Sequence, residues 1–229
     1  MQDMTQMSTT EQFLFYIQEN GWYVFNQFLD HFLISIYGVL LAALIGIPLG
    51  VLISKYGKLS NVVITLANII QTIPALALMA ILMLVLGLGK TTVIVTVFFY
   101  SLLPIIKNTY VGITTINKSV TDAGRGMGMT KIQVLYMVEL PLSLSVIITG
   151  IRIALVVAIG ITAIGAFIGA GGLGDIIIRG TNATDGTAII LAGALPTALM
   201  AILSDIILGI IERRLDPVKR QQKRISATV

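Results

Sequence analysis

Few side chains in this chain are equipped for chemistry. It has no cysteine and one histidine, His31. Disulfide frameworks, thiolate metal sites and cysteine nucleophiles are therefore excluded, and a histidine-based metal or catalytic cluster is implausible. Two stretches imitate nucleotide sites. Gly87-Leu88-Gly89-Lys90-Thr91 looks like the end of a phosphate-binding loop, but the G-x-x-x-x-G-K-[ST] spacing requires glycine where Leu84 stands. The stretch also falls between two apolar runs. Gly169-Ala170-Gly171-Gly172-Leu173-Gly174 satisfies G-x-G-x-x-G literally, yet no strand precedes it and no βαβ unit surrounds it. Both are rejected. The sequons at Asn117 and Asn182 are too common a pattern to carry meaning here.

Two charges stand inside otherwise apolar runs, Arg152 and Asp205. At helical rise Arg152 lies ~13 Å and Asp205 ~9 Å in from the same side, so an ion pair between their helices is expected, since isolated charges in a membrane are expensive. A structural pair is favoured over a link near a gate. Small residues one turn apart, Gly46 with Gly50 and Gly165 with Gly169, permit close helix approach, and helix packing is their expected role.

The elements that hold these residues follow from composition. Of 229 residues 56% are hydrophobic and 11% charged, against about 25% charged in soluble domains. Mean hydropathy is +0.94. This is an integral membrane protein of the all-α class. Residues 31–54 carry no charge, which suffices for one span. Residues 59–89 would reach ~46 Å as one helix, beyond the ~30 Å hydrocarbon core but short of two spans, so one long helix bent or tilted near Pro74 is predicted. Further spans are predicted over 91–106, 142–168 and 188–211, making five. Lys90 and Lys107 can snorkel at the ends of the third. The Gly-rich loop 169–187 cannot face lipid, because its backbone would be unsatisfied. A re-entrant element and a plain exposed loop both fit it.

Five spans put the termini on opposite sides. With the N-terminus outside, twelve Lys and Arg residues lie inside, against Lys90 and Arg179 outside. The positive-inside rule selects this orientation, with the C-terminus cytoplasmic, and explains the net charge of +4 without nucleic acid. No basic n-region opens the chain, so a cleaved signal peptide is not expected. The expected organisation is an extracellular or interfacial segment 1–30, a membrane domain 31–212 and a basic cytoplasmic tail 213–229. Aromatics over 11–29 fit an interfacial helix, or an aromatic-belt anchor for the first span, which is the preferred reading.

The inner segment 118–138 is polar and glycine-containing. Ser119 with Asp122, and Thr130 with Gln133, are capping patterns, and Gly126 and Gly128 permit a sharp turn between them. Two short helices folding back before Pro141, where the fourth span begins, are predicted.

This segment resembles the inner loop of permease subunits in binding-protein-dependent ABC importers, which reads E-A-A, three residues, G, nine residues, then I-x-L-P. Asp122-Ala123-Gly124 stands at the E-A-A position, Gly128 follows three residues later, and Val138-Glu139-Leu140-Pro141 comes nine residues after that. Asp, Gly and Val replace Glu, Ala and Ile. Stretches at Gln71–Leu76, Tyr100–Ile105, Asn108–Tyr110 and Phe167–Asp175 resemble the osmoprotectant branch, permeases for glycine betaine, carnitine and choline. Methionine permeases share the five-span core. The resemblance implies an ATPase-coupling role for Asp122, Ala123, Gly124, Gly128, Leu140 and Pro141, ATP-Mg bound on separate ATP-binding subunits, and alternating access. It also implies a sister permease chain and an extracellular substrate-binding protein, which would hold most of the aromatic recognition of quaternary ammonium. No cofactor, metal or catalytic residue is expected on this chain, and no residue is singled out as substrate-binding. The alternatives are a permease for methionine or another small polar solute, or an ion-coupled secondary transporter. The latter would need intramembrane carboxylates, of which only Asp205 qualifies, or inverted repeats, of which none is visible.

Overall fold

The computed structural model describes residues 8–216, and these are helical almost throughout. Helix α1 spans Thr9–Lys55. The Ser8 hydroxyl accepts from the Glu11 amide at 3.4 Å, and the Glu11 carboxylate accepts from the Ser8 N–H at 2.8 Å, closing a capping box. At 47 residues α1 is about 70 Å long, more than twice the hydrocarbon thickness. Residues 9–30 run on into the first span without a break. No proline falls between Thr9 and Ile47, and Gly21, with nothing packed against it, is a weak breaker.

The charge-free run 59–89 differs from its expectation. It forms two helices, α2 (Gly57–Thr72) and α3 (Ala75–Leu86), at 96° to one another. Helix α4 (Lys90–Thr114) explains why the break is sharp. Pro104 has no N–H to offer the carbonyl of Tyr100 four residues back. The Gln71 side-chain amide donates to that carbonyl at 2.8 Å. In return the Tyr100 hydroxyl donates to the carbonyl of Ile73, at the break itself. Each interruption thus satisfies a backbone group that the other leaves bare, as a low-dielectric surrounding demands.

After α4 the chain turns back, and α5 (Lys118–Gly126) and α6 (Lys131–Val134) form a hairpin. Helix α6 does not fold back before the fourth span. It runs through a π turn at Leu135–Glu139 into α7 (Leu140–Ile164), one continuous stretch from Lys131 to Ile168. In a regular helix the Pro141 ring would meet the carbonyl of Met137, and the wider turn placed there relieves that clash. A short 3-10 turn leads to the glycine-rich segment 169–172, then α8 (Leu173–Thr181) and α9 (Thr187–Leu215). Among the described residues four helical stretches are long and apolar enough to cross a membrane, and the bent α2–α3 pair makes up to five.

The core forms where α1 lies on α4, α4 on α7, and α7 and α8 on α9. Gly46 and Gly50 sit against Ile105 and Thr109 of α4, the close approach their spacing suggested. Gly165 packs on Val93, but Gly169 packs on nothing. It supplies a left-handed turn (φ +74°) that ends the helix.

Candidate functional site

The α5–α6 hairpin is built from local rules. Asn117 caps α5, its side-chain oxygen accepting from the Ser119 amide at 3.0 Å. The expected cap, Ser119 with Asp122, is displaced: Asn117, an equally good cap two residues upstream, starts the helix two residues earlier. Asp122 instead lies 3.7 Å from Arg125, both exposed. Gly128, at φ +85°, turns the chain, and the Met129 amide reaches back to the Gly124 carbonyl at 3.2 Å. Gly126 ends α5 and needs no left-handed conformation. Thr130 and Gln133 form the second capping box as the sequence suggested. Gly124 is buried because Met129 and Val134 close over it, a Cβ there standing 3.2 Å from the Met129 sulfur. Ala123 is exposed, Leu140 is half-buried, and Pro141 lies in the first turn of α7.

Two features give the hairpin its character. The Lys55 ammonium pairs with buried Glu139, tying the end of α1 to the π turn. A cleft of about 430 Å³ lined by Lys55, Arg125, Lys131 and Glu139 opens beside it. Meanwhile Met127, Ile132, Tyr136 and Met137 are each more than 60% exposed on a segment whose neighbours are charged. Uncovered apolar groups of this size in a polar setting mark a contact surface.

The intramembrane charges come together. Arg152 of α7 grips Asp205 of α9 with two hydrogen bonds, Nε to Oδ1 at 2.6 Å and Nη2 to Oδ2 at 2.8 Å. A third partner went unnoticed in the sequence, Glu212, which accepts from Nη1 at 3.2 Å. It was readable from spacing, since residues seven apart share a helix face. Gly209 between the two carboxylates leaves room for the guanidinium, 3.2 Å from where a Cβ would stand.

At the opposite end, loop 169–187 is ordered. His31 is fully buried, its Nδ1 accepting from the Leu173 amide at 3.2 Å and its Nε2 lying 2.9 Å from the Ile159 carbonyl. Since Nδ1 accepts, Nε2 carries the hydrogen and donates. Asp175 accepts from the Tyr23 hydroxyl at 2.6 Å and from Arg179 at 2.8 Å, with the guanidinium 5.1 Å above the Tyr23 ring. The nucleotide-site imitations have plain duties here. Gly89 donates its amide to Ile168, Lys90 pairs with Asp30 at 2.8 Å, and the glycines at 171 and 172 pass beneath α1. Among the described residues no group of His, Asp and Glu could hold a metal ion.

A broken intramembrane helix, a capped α5–α6 hairpin with exposed apolar groups and an ordered segment 169–187 at the other end form one arrangement. Residues 32–217 match the family described as binding-protein-dependent transport system inner membrane component. The chain belongs to that family. This inner membrane component is 61% identical over 216 residues to the glycine betaine/carnitine/choline transport system permease protein OpuCD of Bacillus subtilis (strain 168), covering 94% of each chain. It is 40% identical over 206 residues to OpuCB of the same organism, a permease protein with the same description, covering 90% of this chain and 94% of that one. Its fold is that of a chain of the MetNI methionine ABC transporter in an inward-facing conformation, with a TM-score of 0.77 at 22% identity over 85% of this chain and 96% of that one.

Proposed function

We propose that this component is the transmembrane permease of an ATP-driven importer for quaternary-ammonium osmoprotectants, namely glycine betaine, carnitine and choline. The observation that carries the substrate class is the 61% identity to OpuCD along 94% of both chains. The N-terminus lies outside and the hairpin in the cytoplasm, as supported by the twelve inner cations against two outer ones.

The geometry supports the following mechanism. Exposed Met127, Ile132, Tyr136 and Met137 dock into an ATP-binding subunit, which binds ATP-Mg and hydrolyses it. Asp122, Ala123, Gly124 and Gly128 shape that hairpin. Leu140 and Pro141 pass its displacement on, because α6, the π turn and α7 form one continuous stretch. A push on the hairpin therefore moves a spanning helix directly, and the Lys55–Glu139 pair carries the end of α1 with it. Arg152 and Asp205 hold α7 and α9 together during the movement. A second permease, a sister chain in the manner of OpuCB beside OpuCD, completes the pathway. An extracellular substrate-binding protein delivers the solute to the outer face formed by α8 and the start of α1.

The test compares uptake of labelled glycine betaine, carnitine, choline and methionine in cells with the intact system and cells lacking only this chain. Loss of quaternary-amine uptake alone is expected. Loss of methionine uptake instead would overturn the substrate class. Uptake abolished by an uncoupler with ATP held constant would overturn the ATP-driven mechanism.

A further inference from the structure

Helix α2 is divided lengthwise into three sectors. At about 100° per residue, Asn61, Thr65, Asn68 and Thr72 fall within roughly 60° of arc. All four are exposed. On one side of them lie Val62, Leu66 and Ile69, more than half exposed and wholly apolar, as a lipid-facing surface should be. On the other side Ser60 and Ala67 are buried and Gln71 reaches α4. Two carboxamides and two hydroxyls thus form a separate stripe between the packed sector and the lipid sector.

Among the described residues, no side-chain partner stands against Asn61, Thr65 or Asn68, and the Thr72 hydroxyl bonds only the Ile69 carbonyl of its own helix. Lipid offers such groups nothing, and polar side chains in spans characteristically turn to a bundle interior or a water-filled cavity. A second observation fixes where the stripe leads. It ends at the α2–α3 break, which is held by Tyr100, eleventh of the 25 residues of α4 and so near mid-membrane. Non-helical backbone at that depth is tolerated where it is buried in protein or lines an aqueous cavity. From Asn61 to Thr72 the stripe is about 16 Å long, the inner half of a bilayer core.

We infer that Asn61, Thr65, Asn68 and Thr72 line the inner half of the translocation pathway, from the mid-membrane break to the cytoplasmic exit. The inference rests on the transporter reading above. The lining is neutral, with hydrogen-bonding groups and no fixed charge. It hydrates a small zwitterionic or cationic solute without holding it, which is what an exit requires.

The chain has no cysteine, so single-cysteine variants need no altered background within it. Asn61→Cys, Thr65→Cys, Asn68→Cys and Thr72→Cys are compared with Val62→Cys, Leu66→Cys and Ile69→Cys in the assembled transporter. The probe is the membrane-impermeant trimethylammonium-ethyl methanethiosulfonate, applied from the cytoplasmic side. Because the thiolate is the reacting form and needs water, the stripe positions are expected to react at least ~10-fold faster than the flank. Equal rates on both faces, faster reaction on the flank, or a stripe that reacts only when this chain is separated from its sister would each overturn the inference. The reading of labels does not depend on the solute. Normal quaternary-amine uptake with an unreactive stripe sinks the inference alone, whereas a reactive stripe without such uptake sinks the substrate assignment alone.

Discussion

His31→Phe isolates the stitch that holds the start of α8. The imidazole is fully buried and joins three helices, with Nδ1 accepting from the first amide of α8 and Nε2–H donating to Ile159 of α7. Leu173 is itself fully buried, and the amides of a helix's first turn have no intrahelical partner. Removing the acceptor leaves that amide bare, at about 1–3 kcal/mol, and removes a bond to Ile159 whose net worth is about 0.5–1.5 kcal/mol. The sum, about 1.5–4.5 kcal/mol, lowers the melting midpoint by roughly 3–18 °C at the ~2–4 °C per kcal/mol of a chain this size.

Two readouts separate this loss from a packing clash. Thermal unfolding in detergent gives the total, and amide hydrogen exchange at Leu173 reports the stitch itself. His31→Phe is expected to accelerate exchange at Leu173 more than at the middle of α9. His31→Asn keeps an acceptor near the position of Nδ1, so it restores slow exchange at Leu173 even though its smaller side chain leaves a cavity. A His31→Phe protein that melts within about 1 °C of the parent, or exchanges Leu173 no faster, would refute the assignment of the stitch.

Other perturbations test other contacts. Gly50→Val drives a Cβ to 2.6 Å from that of Thr109 and 2.9 Å from the Ile106 carbonyl. It should destabilise the α1–α4 contact by about 1–3 kcal/mol in thermal unfolding, while Gly21→Val, with open space around it, stays within ~0.5 kcal/mol. Gly128→Val forces a β-branched residue to φ +85°, so the hairpin shifts. ATP-dependent uptake should fall at least ~10-fold with membrane levels unchanged, and normal uptake would show that the turn is not needed for coupling. Melting shifts of Arg152→Ala and Asp205→Ala should be strongly non-additive, those of Arg152→Ala and Glu212→Ala less so, because the first pair shares two short bonds and the second one longer one. Additive shifts for both pairs would remove the triad from the stability of the α7–α9 contact.

Residues that carry their own local instructions were legible in the sequence. Thr130 and Gln133 cap as their spacing says, Arg152 finds Asp205, and charge-free stretches lie within the spanning helices. Pro74 marked a bend, but not a break of 96°. That angle is set by Tyr100 and Gln71, two residues of different helices that become neighbours only when α4 is in place. Likewise nothing near His31 points to Leu173, 142 positions away. Asn117 looked like a sequon and proved to be a cap. Glu212 stands next to Arg213 and Arg214, so its charge is balanced locally in the sequence and does not point to Arg152 across the helix face.

Polarity within the spanning helices has two sources, and the contacts separate them. One is repair. Gln71 and Tyr100 serve the carbonyls exposed by Pro104 and the α2–α3 break, His31 serves the start of α8, and Ser35 and Thr162 serve each other at 2.9 Å. Arg152 lies between two carboxylates. Each of these groups has a protein partner that the fold would otherwise leave bare, so its presence follows from folding alone. Asn61, Thr65 and Asn68 repair nothing, since α2 has no proline or break along the stretch they occupy. A lipid-facing wall would carry residues like Val62 and Leu66 there, and a dry helix contact would pair the carboxamides as it pairs Ser35 with Thr162. Side chains that are polar, aligned and still open are left for water and for whatever water carries past them.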